Sequence, residues 1–194
     1  MYSSTGALID ALVPRPRGLI SILLRDAGIV LGASIQMTLL AQLTIPLPIV
    51  PITGQTLGVL LIGASLGSKK GSLAMLTYLG EGALGAPVFA GGSGGIAVLA
   101  GPTAGYLYGF VIAAFLVGWL AERRLDRNVL TAATAMLAGE VAMYTVALPW
   151  LSFYVPNDQL LSVGLIPFIP GDVVKLVLAA ALLPAAWKLL GRGP

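Results

Sequence analysis

LISILLRDAGIVLGASIQMTLLAQLTI, residues 19–45, carries charge only at Arg25 and Asp26 and stops at the breaker PLPIVP. A bilayer's hydrocarbon core of ~30 Å takes about 20 residues of helix, so this run is long enough to cross a membrane. Five further apolar stretches follow: Thr56–Leu66, Ser72–Leu84, Thr103–Ala121, Val129–Leu151 and Asp172–Leu190. The second and third are short for a span. Their outer halves are expected to be the irregular segments PIVPITGQ and GAPVFAGGSGG, since non-helical backbone at membrane depth survives where it lines a cavity or is buried in protein.

Composition agrees. The 194 residues are 57% hydrophobic and 10% charged, with mean hydropathy +0.94, against roughly 25% charged residues in ordinary globular domains. A soluble surface this apolar would associate; in lipid it is well solvated. The 25 Gly and 13 Pro are tolerated in membrane helices and do not signal disorder.

The positive charge orients the bundle. Arg15, Arg17, Arg25, Lys69, Lys70, Arg123, Arg124, Arg127, Lys188 and Arg192 all fall on one side of a six-span arrangement. The connections Pro46–Gln55, Gly85–Pro102 and Ser152–Gly171 hold no Lys or Arg. Five or seven spans would split the set. The positive-inside rule therefore predicts an all-α membrane protein. It has six transmembrane helices in a compact bundle, with N- and C-termini cytoplasmic. Residues 1–18, with Asp10 and PRPRG but no long apolar run, read as a cytoplasmic N-terminal tail or short interfacial helix rather than a signal peptide. Residues 19–190 form one domain in the cytoplasmic (inner) membrane. The basic residues form no aromatic-interleaved patch, so nucleic acid is not an expected partner; the lipid bilayer is.

Lys175 alone breaks the rule. It follows Asp172 by three positions in PGDVVK, so both groups can share a helix face. A charge inside a membrane is costly and usually marks a function. The pair is either a structural ion pair or an outer-face ligand site, with Lys175 meeting a carboxylate or Asp172 accepting a ligand N–H. Asp172 could also cap its own helix. Candidate neighbours are Thr53, Gln55 and Thr56, Tyr78 and Glu81 at the outer end of the third stretch, and Phe89 and Trp150 at similar depth. The aromatics, with Phe153 and Tyr154, could equally be an interfacial belt. Glu140, midway along the fifth stretch, is expected to face the bundle interior in a polar packing or pocket role.

Other chemistry is sparse. With no Cys and no His, thiolate and imidazole catalysis and the usual metal sites are absent, and no metal is expected. Gly92, Gly94 and Ala97 form a weak dinucleotide-like pattern, outside any βαβ context. No phosphate-binding loop ending in Gly-Lys-Ser/Thr occurs, so ATP chemistry would have to come from another subunit. Small residues recur at helical spacing. Gly101, Gly105, Gly109 and Ala113 read mainly as bundle packing; Gly28, Gly32, Ala33 and Ala41 read as packing or as a docking face for a partner.

Taken in order, PLPIVPITGQTLGVLLIGASLG, YLGEGALGAPVFAGGSGG, GPTAGYLYGF and FIPGDVVKL resemble BioY, the biotin-specific substrate-binding (S) component family of energy-coupling-factor (ECF) transporters. The resemblance covers roughly residues 25–185. It implies six membrane helices and one biotin bound near the outer face, with the Asp and Lys of PGDVVK in the site. It also implies a transmembrane coupling subunit and ATP-binding cassette ATPases as partners, and neither enzymatic activity nor a cofactor in this chain. On this reading Asp172 can accept a ureido N–H, Gln55 or Thr53 can complete that edge, aromatics can cover the apolar parts and Lys175 can meet a carboxylate; which end of biotin faces Lys175 is left open by the sequence. Three alternatives are an S component for another vitamin, an ion-coupled secondary transporter using Glu140, and an intramembrane enzyme.

Overall fold

The computed structural model describes residues 6–191; residues 1–5 of the expected tail, and Arg192, lie outside the described residues. Helices occupy all six expected stretches. A short helix α1 (Leu8–Leu12) precedes the long α2 (Leu19–Gln42). Two-residue strands β1 (Thr44–Ile45) and β2 (Ile52–Thr53) pair antiparallel, Thr44 with Thr53 and Ile45 with Ile52. After them come α3 (Gln55–Leu66), α4 (Ser68–Ala83), a 3₁₀ turn (Ala90–Gly92), α5 (Ile96–Leu99), α6 (Ala104–Ala121), α7 (Val129–Leu151), α8 (Leu160–Gly164) and α9 (Ile169–Leu189). Four of them, α2, α6, α7 and α9, are long and apolar enough to cross a membrane. At 1.5 Å per residue, α3 reaches only about 18 Å and α4 about 24 Å.

The segment read as irregular, PIVPITGQ, is a small hairpin followed by the first turn of α3. Proline-rich PLPIVP is its loop, and the pairing satisfies part of the backbone that a short helix leaves exposed. α6 is the central post: 61% of its apolar window is buried, against 17% for α2. It packs on α3, α4 and α7, whereas α2 lies at the edge against α3 and α4. Gly105 and Gly109 face α7 so closely that a Cβ would stand 2.5 Å from Trp150 and 2.8 Å from the Met143 carbonyl. With Ala113 buried, the α6 stripe is internal packing.

Two sequence expectations change here. The docking stripe on α2 splits: Gly28 and Gly32 face open space, but Ala33 and Ala41 are buried in the bundle. The two alanines lie on the opposite helix face and cannot contribute to an external docking surface. Helix α9 begins three residues earlier than expected, at Ile169 with Pro170 in its first turn, and its N-cap is Phe168. Proline fits there because its missing N–H is unpaired at a helix start in any case. Asp172 is therefore already helical, its N–H bonded to the Phe168 carbonyl, and its side chain is not a cap.

At one end of the bundle the basic residues gather, most of them engaged. The Asp10 carboxylate on α1 meets Arg15 at 3.1 Å and Arg25 at 2.9 Å, while Lys70 bridges to Asp26 at 2.9 Å. Arg25 ties α1, whose Leu8 is buried, to α2, and Lys70, 3.6 Å from Asp10, ties it to α4. Lys69 and Lys70 lie within the first turn of α4, which starts at Ser68 rather than Ser72. Cations there oppose the helix dipole. Glu122, from the α6–α7 turn, compensates by accepting from the Ser68 N–H at 2.8 Å and from its hydroxyl. The corner between α3 and α4 needs Gly67, whose φ is +82°, a region costly for residues with a Cβ. On the far side of the same end, buried Asp126 accepts from the Trp187 indole N–H, and the Arg127 guanidinium stacks 3.4 Å over the Trp187 ring. Burial raises the Asp126 carboxyl above the usual carboxylate range, opposed by the Trp187 hydrogen bond and by Arg127.

The close passage of α6 over the α3–α4 corner supplies a test. A Cβ on Gly118 would stand 2.4 Å from the backbone of Gly67 and Ser68, which cannot yield as a flexible side chain would. Gly118→Ala should lower the thermal unfolding temperature of detergent-purified protein by several degrees, as overpacking costs about 1–3 kcal/mol. Gly28→Ala, with open space around it, should leave it unchanged.

Candidate functional site

Opposite the basic end, the bundle opens into a cavity of about 450 Å³, within the ~300–1,000 Å³ usual for small-molecule sites. The β2–α3 junction supplies Thr53, Gln55 and Thr56. The segment after α4 supplies Phe89 and Ser93, α6 supplies Tyr106, Leu107 and Phe110, α7 supplies Met143 and Tyr144, and α9 brings Phe168, Asp172 and Lys175. Apolar side chains make most of the wall, and the polar groups converge from α3, α7 and α9.

Asp172 and Lys175 are the centre of that convergence. The Lys175 ammonium lies 3.2 Å from Asp172 Oδ1 and donates to the Thr56 hydroxyl at 2.7 Å. Thr56 in turn lies 3.4 Å from Oδ1, while Tyr144 Oη donates to Oδ2 at 2.5 Å. Asp172 is buried at 4% exposure, and each carboxylate oxygen has a donor. An ammonium has three N–H donors; two are used here, on Thr56 and Asp172. The site thus presents an anion and a cation side by side, mutually neutralised, with spare hydrogen-bonding capacity on both.

A second polar chain braces the wall. Gln55 Nε2 donates to Tyr78 Oη at 2.7 Å, Tyr78 donates to the Val88 carbonyl at 3.0 Å, and Thr53 Oγ1 donates to Gln55 Oε1 at 2.9 Å. The Phe89 ring meets Tyr78 edge-on, centroids 5.3 Å apart, and lies flat on Gly82, where a Cβ would reach 2.0 Å from it. Tyr106 donates to the Gly164 carbonyl at 2.6 Å, tying the α8 segment to α6.

Five of the eight sequence candidates, Asp172, Lys175, Gln55, Thr53 and Phe89, line the cavity together. Tyr78 is fully buried behind it and acts through Gln55. Glu81 points the other way, accepting from Ser34 on α2. Trp150 packs on Tyr108 and donates to the Gly101 carbonyl at 3.0 Å, outside the cavity lining. Phe153 is exposed at 83%, as a belt residue would be. The main residue that sequence reasoning missed is Tyr144. Its signal was available: it lies four residues after Glu140 on one face of α7, the spacing that brings side chains together.

The profile of the BioY family matches residues 14–192. The chain belongs to the BioY family. Among its relatives, the biotin transporter BioY of Thermotoga maritima is 43% identical over 143 residues, 73% of this chain and 83% of that protein. The biotin transporter BioY of Rhizobium etli is 40% identical over 141 residues, 69% of this chain and 75% of that one. The fold matches a crystal structure of the S-component for biotin from an ECF-type ABC transporter with a TM-score of 0.75. That match has 28% identity and covers 85% of this chain and 92% of the other. BioY proteins are transport components, which sets the intramembrane-enzyme alternative aside.

The neutralised pair makes its own prediction. Removing one partner strands a buried charge at a cost of about 3–5 kcal/mol, whereas replacing both with neutral groups can cost far less. Lys175→Met should therefore lower the unfolding temperature of ligand-free protein more than the double variant Asp172→Asn/Lys175→Met does. Nanoscale fluorimetry in detergent reads the order directly.

Proposed function

We propose that this chain is the biotin-binding S component of an ECF transporter, capturing the vitamin at the outer face of the cytoplasmic membrane. The observation that carries the reading is the Asp172–Lys175 pair at the floor of a largely apolar cavity, braced by Thr56 and Tyr144. Biotin has a ureido ring with N–H donors beside a carbonyl acceptor, an apolar thiophane and valeryl chain, and a carboxylate. An acceptor and a donor 3.2 Å apart suit the ureido edge: Asp172 takes an N–H and the third Lys175 N–H reaches the carbonyl. Gln55 and Thr53 extend that polar edge, and Phe89, Leu107, Phe110, Met143 and Phe168 cover the apolar part. The family and fold relationships support this assignment over an S component for another vitamin.

In this reading α2, α3, α4, α6, α7 and α9 are six membrane helices. Residues 19–190 form one membrane domain, and residues 1–18 lie on the inner side with both termini. The gathered basic end faces the cytoplasm, as the positive-inside rule requires. Energy comes from ATP hydrolysed by ATP-binding cassette partners through a transmembrane coupling subunit. The open face of α2 at Gly28 and Gly32 is the surface offered for close helix approach by that subunit.

Detergent-purified protein should bind biotin in a titration. Asp172→Asn and Lys175→Met should each weaken binding about tenfold to a hundredfold, the scale of a charge-assisted hydrogen bond. Tight binding of a different vitamin with none for biotin would defeat the proposal. Topology is tested separately, because the chain has no cysteine of its own. Single cysteines at Lys69 or Arg124 should react with a membrane-impermeant maleimide only from the cytoplasmic side, and those at Gly92 or Asn157 only from outside.

A further inference from the structure

Beneath the floor of the cavity, on the far side of Thr56, lies a second and much smaller space of about 10 Å³. That is about the room one water molecule requires. Thr56 and Met143 border both spaces; Leu60, Ala113 and Glu140 close the smaller one. Glu140 is only 8% exposed, and its Oε1 has no hydrogen-bond partner among the described residues. An acid in that position is costly unless its polar atoms are satisfied, and an apolar residue would fill the space without that cost. The charged groups that act on it are Asp172 and Lys175, the pair at the cavity floor.

Thr56 connects the two levels. Its hydroxyl accepts from Lys175 and leans toward Asp172 Oδ1, which uses one lone pair and its hydrogen. A hydroxyl oxygen has a second lone pair, and Thr56 borders the smaller space that holds Glu140. A water there can donate one hydrogen to Thr56 Oγ1 and the other to Glu140 Oε1, satisfying both atoms.

We propose that Glu140 is a positioning residue for the ligand site. Through one buried water it holds the Thr56 hydroxyl, and thereby sets the direction in which the Lys175 ammonium faces the ligand. Glu140 touches no ligand itself. The inference rests on the biotin reading for its affinity assay, but it has a ligand-free assay as well.

The test compares Glu140→Gln, which keeps an acceptor oxygen, with Glu140→Leu, which removes it, alone and combined with Thr56→Val. Biotin titration should show Glu140→Gln within about twofold of the parent and Glu140→Leu about three- to tenfold weaker. The unfolding temperature of ligand-free Glu140→Leu should stay level or rise, because a buried acid held only through a water gives way to an apolar side chain among apolar neighbours. In the Thr56→Val background the Glu140→Leu loss should vanish, since the two residues act in one chain of hydrogen bonds. Undiminished affinity in Glu140→Leu, equal losses in Gln and Leu variants, or losses that multiply with Thr56→Val would each overturn the proposal. Should Glu140→Leu fail to fold, Glu140→Met poses the same question. Without biotin, the ¹⁵N NMR signal of the Lys175 ammonium should shift in the Leu variant and hold in the Gln variant. If the parent bound no biotin while that pattern appeared, the functional reading would fail and this one would stand.

Discussion

A carboxylate and an ammonium withdrawn from water on one turn of an apolar helix must find partners or destabilise the fold. Desolvation costs several kcal/mol per ion even after relaxation, and mutual attraction offsets it only where geometry is good and the remaining donors and acceptors are satisfied. Asp172 and Lys175 meet that condition with help from elsewhere. Thr56 comes from the first turn of α3 and Tyr144 from α7. Three helices distant in sequence are therefore held at fixed relative positions around one pair. The arrangement of the cavity's polar side follows from where those helices converge, while α6 supplies the apolar wall between them.

The opposite end solves a different electrostatic problem. There the charges are numerous, and they are used to fasten helix ends to one another: Asp10 to Arg25, Asp26 to Lys70, Glu122 to the start of α4, Asp126 to Trp187. Arg25 and Lys70, two of the basic residues gathered there, thus also fasten helices to one another. Between the two ends the packing is made of small residues. Where Gly105 and Gly109 meet α7, and Gly118 meets the α3–α4 corner, backbones approach too closely for any side chain. Lipid provides no hydrophobic force between helices, so such close contact has to come from surface complementarity. That rigidity lets a buried ion pair keep its geometry.

Much of this was legible before any coordinates, for a physical reason. Charge is so rare in the chain that each charged residue carries information, and Lys175 stands out because a six-span reading of the sequence puts every other basic residue on one side. Helix positions followed from the apolar runs because a continuous run between breakers leaves little freedom. Depth was legible too, but facing was not. Trp150 and Glu81 lie near the right level and point elsewhere, one toward the Gly101 carbonyl and one toward Ser34, because a short helix end gives too few residues to show its buried face. Of the two roles open for the α2 stripe, packing and docking, Ala33 and Ala41 took packing, and small residues alone mark close approach without saying from which side. Tyr144 shares a face of α7 with Glu140, but its partner Asp172 lies 28 positions away, so the local spacing marked the face and not the hydrogen bond. The early start of α9 followed from Pro170, a residue as suited to the first helical turn as to the loop before it.

The neutrality of the floor bears on what the cavity can select. A site with one unmatched cation would draw any anion of suitable size, and its preference would weaken as salt screened the field. Here Lys175 is already balanced by Asp172, so net charge offers little discrimination. The pair instead presents an acceptor and a donor at fixed spacing, against a largely apolar wall. A ligand that supplied only a donor or only an acceptor would leave one buried group without its match. That cost counts for more than the mean worth of a hydrogen bond. Selection at such a site follows the pattern of hydrogen bonds rather than the sign of a charge. A rigid ring edge carrying N–H beside C=O satisfies that pattern with little entropy lost on binding.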